Sequence, residues 1–184
     1  CYPNFDMAYA EALAEKFKLN PKKKIASLST GFASIFRLVL ALSAGTPYLL
    51  LDEPVLGLDA QNRDLFYRLL LEHYAKKPCT IVISTHLIEE IAGMIEQAVI
   101  IREGEILKNA PVEELLAEAC TISGPAAAVD AFLAGKRVLC VRNLGGLKSA
   151  CVQGAAEAAL PAGLERTALH LQEYFISLMQ EEDR

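Results

Sequence analysis

The chain has no apolar run long enough to cross a bilayer. Its longest nearly apolar stretch, Phe32 to Ala44, is interrupted by Arg37 and falls short of the ~20 residues that a spanning helix requires. It has no basic excess either. Lys and Arg number 18 against 23 Asp and Glu, a net charge of −5, which argues against a general nucleic-acid binder. The five cysteines, Cys1, Cys79, Cys120, Cys140 and Cys151, form no Cys-x-x-Cys pair and no zinc-like spacing. Their expected state is reduced and partly buried, in a cytosolic compartment. No signal-peptide pattern, internal repeat or low-complexity linker is evident. The first residue is Cys rather than Met, so the chain is expected to be a piece of a longer protein. Finally, no glycine begins a G-x-x-x-x-G-K-[S/T] loop. Gly135-Lys136 is the only Gly-Lys pair, and Asp130 stands where the first glycine of the loop would be. The backbone cradle and lysine that grip β- and γ-phosphates are therefore missing.

What is present is a chain of 184 residues, long enough for one good core or for one domain with a small appendage. A hydrophobic share of 53% and a mean hydropathy of +0.27 are high for a soluble protein. The surplus suggests a face covered by a partner or by missing sequence. Charge is uneven. Residues 1–109 hold 12 basic and 13 acidic side chains, and residues 110–184 hold 6 and 10, which fits a boundary near Asn109.

Residues 6–18 place Met7, Ala10, Leu13, Ala14 and Phe17 on one helical face, with Asn20-Pro21 expected to end that helix. Lys22-Lys23-Lys24 reads as a solvated turn. Ser29 reads as an N-cap for a helix carrying Ile35, Leu38, Val39 and Leu42 at i, i+3, i+4, i+7. Phe36 and Leu40 lie off that stripe, so burial on more than one side is expected. Tyr48–Leu51 is an unbroken apolar run between turn signals, the pattern of a central parallel strand covered by helices on both faces. A helix over 60–75, a strand over Thr80–Ser84, a helix over His86–Ile95 and a hairpin about Glu103-Gly104 follow. Alternating strands and helices predict a parallel βαβ sheet. Beyond Asn109 the pattern becomes a small α+β appendage: helices near 111–119, 126–133 and 168–180, with strands near 121–123, 137–141 and 149–152.

Chemistry concentrates at the ends of two strands. Asp52-Glu53-Pro54 follows the run Tyr48–Leu51, so its carboxylates sit at the edge where open α/β sheets bind ligands. One would hold Mg²⁺ through a retained water. The other would orient or deprotonate an attacking water. His86 follows Thr80–Ser84 by two residues and lands on the same edge, where an imidazole N–H can donate to a phosphate. Leu28-Ser29-Thr30-Gly31 opens a helix whose N–H groups suit an anion, although simple capping by Ser29 accounts for the same pattern.

The order LSTGF, then an apolar strand with DEP, GLD and finally STH resembles an ABC-type ATPase nucleotide-binding domain, strongly over Leu28–Lys108. The resemblance implies an α/β fold: the C-terminal half of a RecA-like P-loop ATPase domain with a parallel sheet over residues 1–109, plus the α+β appendage over 110–184. It implies Asp52 as the Walker B metal-site aspartate, Glu53 as the catalytic glutamate and His86 as the switch histidine. Asp59 corresponds to the D-loop aspartate. Ser29 and Gly31 correspond to signature residues that touch the γ-phosphate held by the opposite subunit. The implied cofactors are ATP and Mg²⁺. The implied partners are a second ATPase subunit and membrane-spanning transporter subunits, with no nucleic acid, at the inner face of the cell membrane.

Two departures qualify this. The family's LSGGQ is LSTGF here, so Thr30 adds a β-branched side chain and Phe32 removes an amide. Variants of this kind occur in ATPase subunits of bacterial exporters. The phosphate loop is absent, so the piece by itself is expected to bind ATP poorly and hydrolyse it negligibly. Two alternatives use the same residues: a non-transport ABC-type ATPase acting on nucleic acid or ribosomes, and a non-catalytic regulatory module.

Overall fold

The computed structural model describes residues 2–154 and 159–181. The chain forms two compact units, Cys1–Leu87 and Ile88–Arg184. Among the described residues no helix is long and apolar enough to cross a membrane.

The first unit contains α1 (Met7–Lys16), α2 (Thr30–Ser43), β1 (Tyr48–Asp52), α3 (Ala60–Lys76) and β2 (Thr80–Ser84). Asp6 caps α1 by accepting from Tyr9 N at 2.9 Å. The helix ends earlier than Asn20-Pro21 would require, because Lys18 adopts a left-handed φ of 54°. In α2 the stripe Ile35, Leu38, Val39 and Leu42 is buried as expected. Burial on a second side does not occur: Leu40 is 41% exposed and Phe36 only half-buried. Gly45, at φ 65°, turns the chain beyond α2. A Cβ there would lie 2.5 Å from Asn4 O, so only glycine fits the approach.

Strands β1 and β2 are parallel and in register from Tyr48↔Thr80 to Asp52↔Ser84. Their long crossover through α3 is the βαβ unit expected from the pattern. The two-sided cover expected for β1 is not found. Leu49 and Leu51 are buried, whereas Tyr48, Leu50 and Val82 are 68%, 74% and 51% exposed. An apolar run reads the same whether the chain or something outside it covers the second face. Among the described residues of the first unit only one face is covered. On the covered side of the unit, Phe66, Leu69 and Leu70 of α3 are buried. The ring of His73 stacks on that of Tyr9 with centroids 5.9 Å apart. Burial, with Lys77 nearby, holds the His73 pKa below the ordinary imidazole value.

The second unit contains α4 (Ile88–Ile91), β3 (Gln97–Arg102), β4 (Glu105–Pro111), α5 (Val112–Ala117), β5 (Ala119–Pro125), α6 (Ala126–Leu133), β6 (Val138–Leu144), β7 (Leu147–Gln153), β8 (Glu165–Ala168) and α7 (Leu171–Glu181). The helix expected over His86–Ile95 is confined to α4. β3 and β4 form an antiparallel hairpin around Glu103-Gly104, both at positive φ. The second sheet runs β6-β7-β5-β8 and is antiparallel throughout. Period-two alternation gives it two cores. Cys120, Ile122, Ala150 and Val152 join Val129 and Phe132 of α6 on one face. Cys151 and Leu139 join Ile100, Leu115 and Tyr174 on the other. Because Ile100 of β3 lies in that second cluster, the compact units divide at Leu87–Ile88, while Asn109 falls inside β4.

The cysteines do not all remain thiols as expected. Cys140 and Cys151, partners across β6 and β7, are joined as a disulfide, with Cα atoms 5.0 Å apart. Cys79 and Cys120 are free. Cys1 lies outside the described residues.

Candidate functional site

The site grows from the parallel register of β1 and β2. Because Asp52 pairs with Ser84 at the last position of both strands, the residues after each strand emerge side by side. The Ser84 hydroxyl donates to Asp52 Oδ1. Glu53 then leaves the strand at φ 41°, a left-handed conformation that is uncommon for a non-glycine residue and worth about 1–3 kcal/mol of strain. Its N–H is fixed by Ser84 O at 2.9 Å.

The Glu53 carboxylate is engaged by the segment after β2. Oε1 accepts from His86 N at 3.1 Å and lies 2.8 Å from His86 Nδ1. Oε2 accepts from Thr85 Oγ1 at 3.4 Å, and Thr85 Oγ1 in turn accepts from Leu87 N at 3.1 Å. A carboxylate only accepts, so the 2.8 Å contact requires the proton on His86 Nδ1. That leaves Nε2 as the outward chemistry of a ring whose side chain is 65% exposed. The neutral ring then offers a lone pair at Nε2, and the imidazolium offers an N–H.

Asp52 is exposed. Among the described residues no group of three or more His, Cys, Asp or Glu gathers as a metal site. One carboxylate is nevertheless what a Mg²⁺ ion takes from a protein when waters and phosphate oxygens supply its other ligands. Asp52, with one oxygen steadied by Ser84, fits that role.

Ser29 and Gly31 lie at the start of α2. Ser29 caps the helix, its hydroxyl accepting from Phe32 N at 3.4 Å. Gly31 is held by packing: a Cβ there would stand 2.6 Å from Gly57 O. Ser34 Oγ donates to Leu56 O at 3.1 Å, and Gly57 adopts φ 80°. The first turn of α2 is thus clamped to the turn that follows Asp52-Glu53. Thr30 is accommodated in the clamp, with its methyl 3.3 Å from where a Gly57 Cβ would be. Asp59 caps α3. Oδ1 accepts from Asn62 N at 2.8 Å and Oδ2 from Asn62 Nδ2 at 3.1 Å.

The structure therefore brings Asp52, Glu53 and His86 to one strand edge. It places Ser29 and Gly31 beside the adjoining turn and gives Asp59 a capping task within its own chain. Ser84, Thr85 and Ser34 were not anticipated. The first two stand in the same STH segment as His86, and a strand pairing of Asp52 with Ser84 is the signal that would have found them.

A family model described as "AAA domain, putative AbiEii toxin, Type IV TA system" matches residues 18–92. The ABC transporter ATP-binding protein YtrB of Bacillus subtilis (strain 168) is 32% identical over 117 residues, 64% of this chain and 40% of that protein. The ribose import ATP-binding protein RbsA 2 of Rubrobacter xylanophilus is 33% identical over 117 residues, 61% of this chain and 22% of that protein. Other relatives are named for nickel import and for Nod factor export. The solved structure of an ATP binding subunit of an ABC transporter superposes with a TM-score of 0.54 at 24% identity, over 60% of this chain and 48% of that one. That likeness establishes the α/β fold. The chain spans less than half the length of these curated relatives.

Proposed function

We propose, from the premise that this chain belongs with the ABC transporter ATP-binding proteins, that it carries the hydrolytic half of an ATP site that drives transport across a membrane. The observation that carries the reading is the engagement of Glu53 by Thr85 and His86 beside Asp52. In this reading Asp52 would hold Mg²⁺ through a water, and the ion would supply positive charge to offset that of the phosphates. Glu53 orients the attacking water and accepts its proton. His86, fixed through Nδ1, presents Nε2 toward the γ-phosphate and donates to it in the imidazolium form, in which both ring nitrogens carry a proton. Ser29 and Gly31 address the nucleotide of a second subunit, and Asp59 lies at the same subunit boundary.

The phosphate loop belongs to sequence outside this chain, so residues 1–184 alone are inactive and the full-length protein is the ATPase. Two such subunits pair at the cytoplasmic face of the membrane and couple to membrane-spanning partners. The LSTGF form of the signature favours an exporter. Residues 110–184 act as a regulatory or dimerising appendage. The test is ATP hydrolysis by the full-length protein with and without Mg²⁺. Turnover that requires Mg²⁺ and falls on Asp52→Asn is expected. Metal-independent turnover, or an unaffected Asp52→Asn variant, overturns the assignment.

A further inference from the structure

We propose that Cys140 and Cys151 form a reversible oxidation site in the second unit, cycling between a dithiol and a disulfide in response to a peroxide or a small-molecule disulfide. The inference does not depend on the ATPase reading. It rests on placement. The two residues face each other across adjacent antiparallel strands with Cα atoms 5.0 Å apart, within the range a disulfide spans. The pairing belongs to the regular ladder that runs back from Leu144↔Leu147 through Val141↔Ala150 to Cys140↔Cys151, and the register shift lies beyond it, between Val138 and Cys140.

The pairing is also selective. Cys120, on the neighbouring strand β5, is buried in the core on the α6 face of the sheet. Cys151 lies in the opposite core, with Tyr174 of α7. Thiol exchange between the two faces would have to pass through the sheet. Cys140 is half-buried whereas Cys151 is 2% exposed, and this divides the work. A peroxide reaches Cys140 first.

The Cys140 thiolate attacks one peroxide oxygen, the O–O bond breaks, and sulfenic acid forms with loss of one water, or of one alcohol from an organic peroxide. The Cys151 thiolate then attacks the Cys140 sulfur. The S–O bond breaks, the S–S bond forms, and hydroxide leaves as water with the thiol proton. Two electrons pass to the peroxide in total. With a disulfide oxidant, Cys140 forms a mixed disulfide and Cys151 displaces the second thiol. A dithiol reductant reverses either route.

Oxidation ties β6, at the sheet edge, to β7 and closes a short loop around Gly145-Gly146. Phe175, Leu178 and Met179 of α7 pack against the same cluster, so the redox state is felt at the seat of α7. The test oxidises the reduced full chain with hydrogen peroxide and, separately, with oxidised glutathione, followed by non-reducing peptide mass spectrometry and hydrogen exchange. The expected result is a loss of about 2 Da mapped to the peptides of Cys140 and Cys151, restored by dithiothreitol. Amide exchange in β6 should slow by about tenfold or more in the oxidised form, because the cross-link restricts opening of the strand. Cys140→Ser and Cys151→Ser should each abolish the mass loss. Linkage to Cys79 or Cys120, a persistent glutathione adduct on Cys140 without closure, or unfolding of the second unit on reduction would each overturn the proposal. Peptide mapping of the unsubstituted chain decides it even if a serine variant fails to fold.

Discussion

Replacing Gly31 with alanine sets two effects of opposite sign against each other. Gly31 is in the first turn of α2, where alanine should stabilise a helix by about 0.5–1 kcal/mol relative to glycine. A Cβ at this position would lie 2.6 Å from the carbonyl oxygen of Gly57, about 0.7 Å inside an ordinary close C···O contact. The obstacle is backbone, and Gly57 is itself held at φ 80°, so neither side yields easily. Overpacking of this kind costs about 1–3 kcal/mol. Displacing the turn also weakens the Ser34–Leu56 hydrogen bond, worth about 0.5–1.5 kcal/mol. The clash wins, and the net expectation is a loss of about 1–3 kcal/mol. Urea unfolding of the full chain, followed by far-UV circular dichroism, reads this directly. Hydrogen exchange at Leu56 and Leu58 should accelerate in the variant. A midpoint that rises on Gly31→Ala would refute the clamp, because helix propensity would then be acting unopposed.

Two further expectations concern the first unit. Leu50→Ala should change stability by no more than about 0.5 kcal/mol, because Leu50 is largely exposed, whereas Leu51→Ala, one residue on and buried, should cost about 2–5 kcal/mol; equal urea midpoints would contradict a one-sided β1. The pH dependence follows from His73. Its pKa lies below the ordinary value of 6.5 because of burial and then Lys77, so the unfolded chain binds the proton more readily. The contribution is fully present above about pH 6.5 and is lost as pH falls toward the lower folded value. Urea midpoints at pH 7 and pH 5 should differ more for the parent chain than for His73→Gln, and parallel behaviour would remove His73 as the cause.

Much of the first unit was legible because local rules and tertiary packing agree there. The Ser29 cap, the stripe through Leu42 and the strand before Asp52 are all signalled by spacing and residue type. Asp52, Glu53 and His86 could be placed together because each follows a strand end and parallel strands end on the same edge. The unread features depend on neighbours. Whether Leu50 and Tyr48 are covered is set by what packs on β1, and an apolar residue carries no mark of that. β8, ERTA, has no buried residue and little apolar alternation; it is a strand because β5 offers it a ladder. The Cys140–Cys151 pairing follows from the register of the β6–β7 hairpin about Gly145-Gly146, which the cysteine spacing alone does not carry. The resemblance implies contacts of Gly31 and Asp59 with another subunit; the packing of Gly31 against Gly57 appears only in three dimensions, whereas an Asp directly before a helix, as at Asp59, is a local capping signal.

The central claim is that Glu53, steadied by Thr85 and His86, handles the proton of the water that attacks ATP. Glu53→Gln keeps size and shape and removes the base. In the full-length protein, Mg²⁺-dependent phosphate release should fall by about 10²–10⁴-fold while nucleotide binding persists. Phosphate release at the parent rate in Glu53→Gln would contradict the account.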